Sequence, residues 1–197
     1  MKELVFLLEE ASAGAMLESL LPRILQPGIR HRLIVFEGKQ DLEKQLHRRL
    51  RSYLNPQARF IVLRDQDCAP DCATVKAKLL DICHHAEAAG RALVRIACKE
   101  LEAFYLADLH AVEQALGVTK LVSRQGNALF RSPDRLGNPS KELEKLTSGL
   151  YQKVSGSRAI GEWLDLANER SPSFRNLVAG IRRMEAELLV LPGSSDA

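Results

Sequence analysis

No hydrophobic run in the chain approaches the ~20 residues of a membrane span, so no membrane partner is expected. The start, Met1 to Glu10, is apolar over only five residues before two acids, too short for a secretory signal. Cysteine is scarce, four in 197 residues. Without a secretory signal, these are expected to be reduced thiols in a cytoplasm rather than staples. Cys68, Cys72, Cys83, His84 and His85 follow no compact zinc spacing. Cys83 falls on an apolar helix face, the usual setting of a buried free thiol. A complete phosphate loop is absent too. Ahead of Gly38-Lys39 the position that needs glycine is Leu33, and Gln40 follows the lysine in place of Ser or Thr. ATP binding by that route is excluded. Charge of one sign is in no great excess, since 28 basic side chains face 25 acidic ones for a net +3. Residues 1–117 carry 16 of each sign, and residues 118–197 carry 12 basic against 9 acidic. The surplus is weakly compatible with a polyanion and far below a strong nucleic-acid footprint. No internal repeat is visible.

What is present suffices for a real core: 46% hydrophobic and 27% charged residues. Four short apolar runs read as buried strands: Glu3 to Leu8, Arg32 to Phe36, Phe60 to Leu63 and Ala92 to Ala97. Helical spacing separates them at Ser12–Leu25, Asp41–Leu54 and Cys72–Ala89, and continues at Leu101–Leu116. Strands alternating with helices predict an α/β fold, a mostly parallel sheet of about four strands flanked by helices. Beyond Gly117 the pattern changes. Residues 124–139 read as a long loop, followed by helices over 140–150, 158–168 and 172–189 and a tail from Pro192 expected to fray. Residues 1–117 are thus expected to form the α/β core and 118–197 a loop and helical extension packed on it. Trp163 and Phe174 sit at core spacings and are expected to pack.

Three of the strands end in acids: Glu9-Glu10, Asp65-Gln66-Asp67 and Glu100-Leu101-Glu102. In a parallel sheet these ends share one edge, where open α/β folds bind ligands. Clustered carboxylates repel, so either some are protonated or a cation sits among them. A hard divalent ion, Mg²⁺ or Mn²⁺, suits an all-oxygen donor set and phosphoryl chemistry. Singly, each acid fits a turn or a helix start equally well. Lys39, beside a helix start, and Lys153, among the basic side chains of the C-terminal helices, are the candidate phosphate contacts.

These residues also carry a resemblance. An acid after the first strand, an Asp-x-Asp after a later one and the α/β pattern between them resemble the Toprim domain of topoisomerases, primases and related nucleases. Five segments look more closely like a bacterial Toprim-like family catalogued as domain of unknown function 4276. They are Phe6–Glu9, Leu20–Arg23, Phe36–Leu42, Val62–Asp67 and Glu100–Asp108, and Tyr151–Lys153 and Ser171–Phe174 are similar as well. The resemblance implies a Toprim-like fold in which Glu9 moves a proton or ligates metal and Asp65 and Asp67 hold Mg²⁺. Glu100, Glu102 and Glu10 become accessory acids. Related families often accompany an ATPase in anti-phage defence, which implies a partner of that kind. At two positions the chain departs from the pattern. Glu10 stands where glycine is usual, and Ala13 where a second acid is common.

Two functions follow as expectations. One is a Mg²⁺-dependent protein acting on nucleic-acid phosphodiester bonds, a nuclease-type effector. The other is a non-catalytic, Toprim-shaped binding or regulatory subunit of a partner ATPase, favoured by Glu10 and Ala13. A nucleotide-sugar transferase would also use Asp-x-Asp, but the chain is short for one.

Overall fold

The computed structural model describes residues 1–192. The four apolar runs form strands β1 (Glu3–Leu8), β2 (Arg30–Val35), β3 (Ala58–Asp65) and β4 (Ala92–Ala97). They make one sheet in the order β2-β1-β3-β4, and every pairing is parallel. Leu8 lies opposite Val35 and Leu63, and Asp65 lies opposite Ala97. The carboxyl ends of all four strands therefore share one edge. Of the expected tail, residues 193–197 lie outside the described residues.

Helices cover both faces, which is why the strands read as continuous apolar runs. Leu4, Phe6, Leu8, Ile61 and Leu63 point into one core. It is closed by α1 (Ala11–Leu20), α4 (Glu102–Leu106), α5 (Leu109–Leu116), α7 (Pro139–Leu146), α8 (Lys153–Gly161) and α9 (Pro172–Val190). Val5, Leu7, Phe60 and Val62 point the other way, into a core closed by α2 (Lys39–Arg51) and α3 (Cys72–His85). Cys83 is buried there as a free thiol. Among the described residues no helix is long and apolar enough to cross a membrane.

Several boundaries differ from the sequence reading, each for a local reason. The helix expected over 101–116 is broken. Asp108 accepts the Ala111 amide at 3.1 Å and starts α5 anew, while its other oxygen accepts the Asp165 amide at 2.8 Å. The helix expected over 158–168 runs instead from Lys153 to Gly161, and Trp163 beyond it is 47% exposed rather than packed. Phe174 does pack, its ring centroid 5.2 Å from that of Phe104. The loop over 124–139 is wound into short turns around α6 (Ala128–Arg131). From it Asp134 reaches the start of α9, accepting the Ser173 amide at 2.8 Å and the Ser171 hydroxyl at 2.6 Å.

At the opposite, amino edge of the sheet, buried Glu3 accepts hydrogen bonds from Tyr53 Oη at 2.9 Å, Asn55 Nδ2 at 3.2 Å and Arg32 Nε at 3.2 Å. Burial alone would raise its pKa, but these donors outweigh burial and hold it below the ordinary value. A carboxyl lowered on folding stabilises above its unfolded pKa, and that contribution is lost as pH falls through the folded one. Glu3→Ala is expected to cost about 1–3 kcal/mol at neutral pH, a deficit that shrinks in acid. Urea unfolding at pH 7 and pH 3 checks both parts.

Candidate functional site

The sheet register carries the acids to one place. Beyond β1 the chain stays paired on both sides, with the Glu9 amide on the Leu63 carbonyl at 3.2 Å and the Gly38 amide on the Glu9 carbonyl at 3.1 Å. Gly38 has φ +92°, a conformation that favours glycine, and this turn starts α2 with Lys39 facing the acids. Beyond β3 the Gln66 amide bonds the Ala97 carbonyl and the Asp67 amide the Lys99 carbonyl, both at 2.9 Å. Asp67 adopts φ +53°, a left-handed conformation that aspartate tolerates better than most residues.

The cluster has two wings around Glu9. On the α2 side, Lys39 Nζ lies 3.0 Å from Asp67 Oδ2. Arg64, its side chain only 9% exposed, bonds Glu43 and sits with Nε 3.7 Å from Glu9 Oε2. On the α8 side, Lys153 Nζ lies 2.5 Å from Glu10 Oε2. Glu102 is buried and accepts the Tyr151 hydroxyl at 3.0 Å. Glu9 joins the wings, since its Oε2 accepts the Asp65 amide at 3.1 Å.

The electrostatics follow from this crowding and from burial. Burial raises the Asp65 pKa well above the usual carboxylate range, and the charges of Glu10, Glu102 and Glu9 push it further, against one backbone bond from Leu101. Glu9 is raised by burial, against the Asp65 amide, with Asp67 and Glu10 adding repulsion. Glu102 is also raised by burial, though Lys153 and Tyr151 oppose the shift. The lysines respond in kind. Lys39 is raised by its bond to Asp67. Burial pulls Lys153 down, but Glu10, Glu102 and Asp65 outweigh burial and raise it.

Glu9, Glu10, Asp65, Asp67 and Glu102 thus come together, with Lys39 and Lys153 in contact with them. Glu100 does not join them, because its Oε2 accepts the Ser140 amide at 2.8 Å and caps α7. As the side chains stand, no three His, Cys, Asp or Glu among the described residues form a group that could hold a metal. Much of the carboxylate surface is already engaged by Lys39, Lys153 and the Asp65 amide. The donor set is nonetheless all oxygen and surplus in negative charge, the chemistry that suits a hard divalent cation. The two departures are harmless to the backbone. Glu10 has φ −144°, which any residue adopts, and Ala13 is buried in the core.

Sequence reasoning missed Arg64 and the role of Tyr151. The Tyr151 hydroxyl lies 3.0 Å from both Glu102 and Ser157. Its ring lies on Gly156, where a Cβ would come within 2.6 Å of Tyr151 Cδ2. Beside the cluster a cavity of about 290 Å³ is lined by Glu102, Ser140, Lys141, Glu144, Tyr151 and Lys153. A larger one of about 450 Å³ lies along β4, between α3 and α9, and none of the five clustered acids lines it.

A four-stranded parallel sheet in this order, helices on both faces and a long C-terminal helix define a Toprim-like α/β domain. The C-terminal region of the Burkholderia pseudomallei OLD protein has a similar fold. It is 18% identical with a TM-score of 0.50, and the match covers 93% of this chain and 98% of that one. The chain itself belongs to the family described as Domain of unknown function (DUF4276), whose sequence profile matches residues 8–182. No curated protein matches it.

Proposed function

We propose that the chain is a Mg²⁺-dependent Toprim-like protein acting on nucleic-acid phosphodiester bonds, a nuclease-type effector of bacterial defence. The observation that carries this reading is the convergence of Glu9, Glu10, Asp65, Asp67 and Glu102, with Lys39 and Lys153, at the carboxyl edge of the sheet. Glu9, Asp65 and Asp67 would hold Mg²⁺ or Mn²⁺. The ion, when bound, neutralises phosphate charge and favours deprotonation of water. Where Asp65 and Asp67 hold the ion without it, Glu9 would instead move the proton, its carboxyl raised by burial. Lys39, 46% exposed at its side chain, would meet a phosphate of the approaching strand. The similar fold in the OLD protein is the C-terminal region of a larger protein, which supports a partner such as an ATPase domain working beside this chain.

Incubation of DNA and RNA with the chain in Mg²⁺ or Mn²⁺, beside Asp65→Ala, tests the reading. Cleavage by the wild type alone is expected, and equal activity in the two proteins sinks it. A second reading, a non-catalytic subunit of a partner ATPase, draws on the lysines that already occupy Asp67 and Glu10. Co-purification with an ATPase and no metal-dependent turnover would select it.

A further inference from the structure

Strand β4 ends the sheet and pairs only with β3 among the described residues. The Gln66 amide bonds the Ala97 carbonyl. By the alternation of a strand, Leu93, Arg95 and Ala97 turn their backbone groups to β3, and Val94, Ile96 and Cys98 turn theirs outward. Two of these outward groups are satisfied. The Cys98 amide donates to Ser173 Oγ at 3.4 Å, and the Val94 carbonyl accepts Arg95 Nη1 at 3.0 Å. The Val94 and Ile96 amides meet no acceptor among the described residues, although both residues are buried. Buried amides are nearly always paired.

Both residues line the cavity of about 450 Å³ between α3 and α9. From Val94 to Cys98 its floor is roughly 13 Å of strand, at ~3.3 Å per residue. The helices cover both faces of β4 and recess its edge, so the slot takes one extended chain. A second copy offers no such chain, since its β4 is equally recessed and its other edge strand, β2, carries Arg30, His31 and Arg32. The slot is itself cationic. Lys76, exposed on the α3 wall, pairs with no carboxylate among the described residues. On the α9 wall Arg95 Nε donates to the Asn176 carbonyl at 2.7 Å. Asp134 is already engaged by Ser171 and Ser173.

We propose that this edge is a docking slot for an extended, acidic segment of a partner polypeptide. The segment adds to β4 as a fifth strand, with carboxylates towards Lys76 and apolar side chains towards Pro172. Main-chain bonds to Val94 and Ile96 supply the affinity, and Lys76 supplies the selectivity. The slot is separate from the acids at the carboxyl edge, none of which lines it.

Nuclear magnetic resonance of the ¹⁵N-labelled full chain tests it, with a short capped peptide alternating valine and glutamate added to about 1 mM. Amide shifts centred on Val94 and Ile96 are expected, and a valine–lysine peptide should bind about tenfold more weakly or worse. Ile96→Pro removes an outward donor while leaving the bonds to β3, and should abolish binding. Should that variant fail to fold, Lys76→Glu carries the test, because it should reverse the preference between the two peptides. No shifts along β4, equal binding of the two peptides, or an unchanged preference in Lys76→Glu overturns the proposal. Shifts at Val94 and Ile96 that grow with protein concentration alone give the slot to a second copy and overturn it too.

Discussion

Asp65→Asn is expected to abolish metal-dependent cleavage and, in the same molecule, to stabilise the metal-free protein. The first effect follows from removing an anionic ligand from a preorganised site, a loss on the order of 10²-fold or more in rate. The second follows from the cost of the native carboxylate. Asp65 is raised first by burial and then by Glu10, Glu102 and Glu9. Its folded pKa exceeds the unfolded one, so the folded chain holds the proton more firmly. Stability is then greatest below the unfolded value of about 3.9 and is lost as pH rises through the folded one. Asparagine stays neutral and can still accept the Leu101 amide. The variant should therefore melt higher than the wild type at pH 8, by about 0.5–2 kcal/mol, and the gap should close towards pH 4. Saturating Mn²⁺ should reverse the order, since a ligand at a hundred times its Kd adds about 2.7 kcal/mol to the protein that binds it. Thermal melts at pH 4 and pH 8, with and without Mn²⁺, separate these outcomes. A variant less stable than the wild type at pH 8 without metal would show that crowding of Asp65 is not what the fold works against.

Much of this arrangement was legible because a parallel sheet turns sequence position into spatial position. Once four apolar runs alternate with helices, the residue after each run must lie on one edge, and Glu9, Asp65 and Asp67 follow. Glu102 followed for the same reason, but Glu100, two residues earlier, turns away to the amide of Ser140. Nothing local distinguishes them, because the choice depends on where α7 lies, 40 residues on. Arg64 carried a readable sign. An arginine inside a strand buried on both faces needs an anion, and the strand's own neighbourhood offers Glu9 and Glu43. The helix expected over 158–168 lies instead at Lys153–Gly161, with Gly156 and Gly161 inside it. They are close-approach residues, one under the ring of Tyr151 and one against the backbone of α1. The break at Asp108 was hidden because the apolar spacing stays nearly in phase on both sides of it, although Asp108 is itself a good N-cap residue.

Gly161→Ala is expected to be the most damaging single-methyl change in this fold. A Cβ at Gly161 would lie 2.6 Å from the Met16 carbonyl oxygen and 3.3 Å from the Met16 Cα. Those are backbone atoms of α1, so no side chain can rotate away and the two helices must part. Overpacking of this kind costs typically about 1–3 kcal/mol, and the rigid neighbour places this site at the upper end. For a chain of this size that is a Tm loss of roughly 6–12 °C. Gly180→Ala is the control. Its Cβ would meet the Leu93 Cδ2 tip at 2.8 Å and Arg95 Nε at 2.9 Å, which are side-chain atoms that can move, and alanine gains about 1 kcal/mol of helix propensity. Little net change is expected there. The two variants also differ at the acids. Parting α1 from α8 shifts Glu10, at the start of one helix, against Lys153, at the start of the other. Gly161→Ala should therefore weaken Mn²⁺ retention below its melting temperature, and Gly180→Ala should not. Equal Mn²⁺ affinity in the two variants would detach the α1–α8 contact from the site and leave it a matter of packing alone.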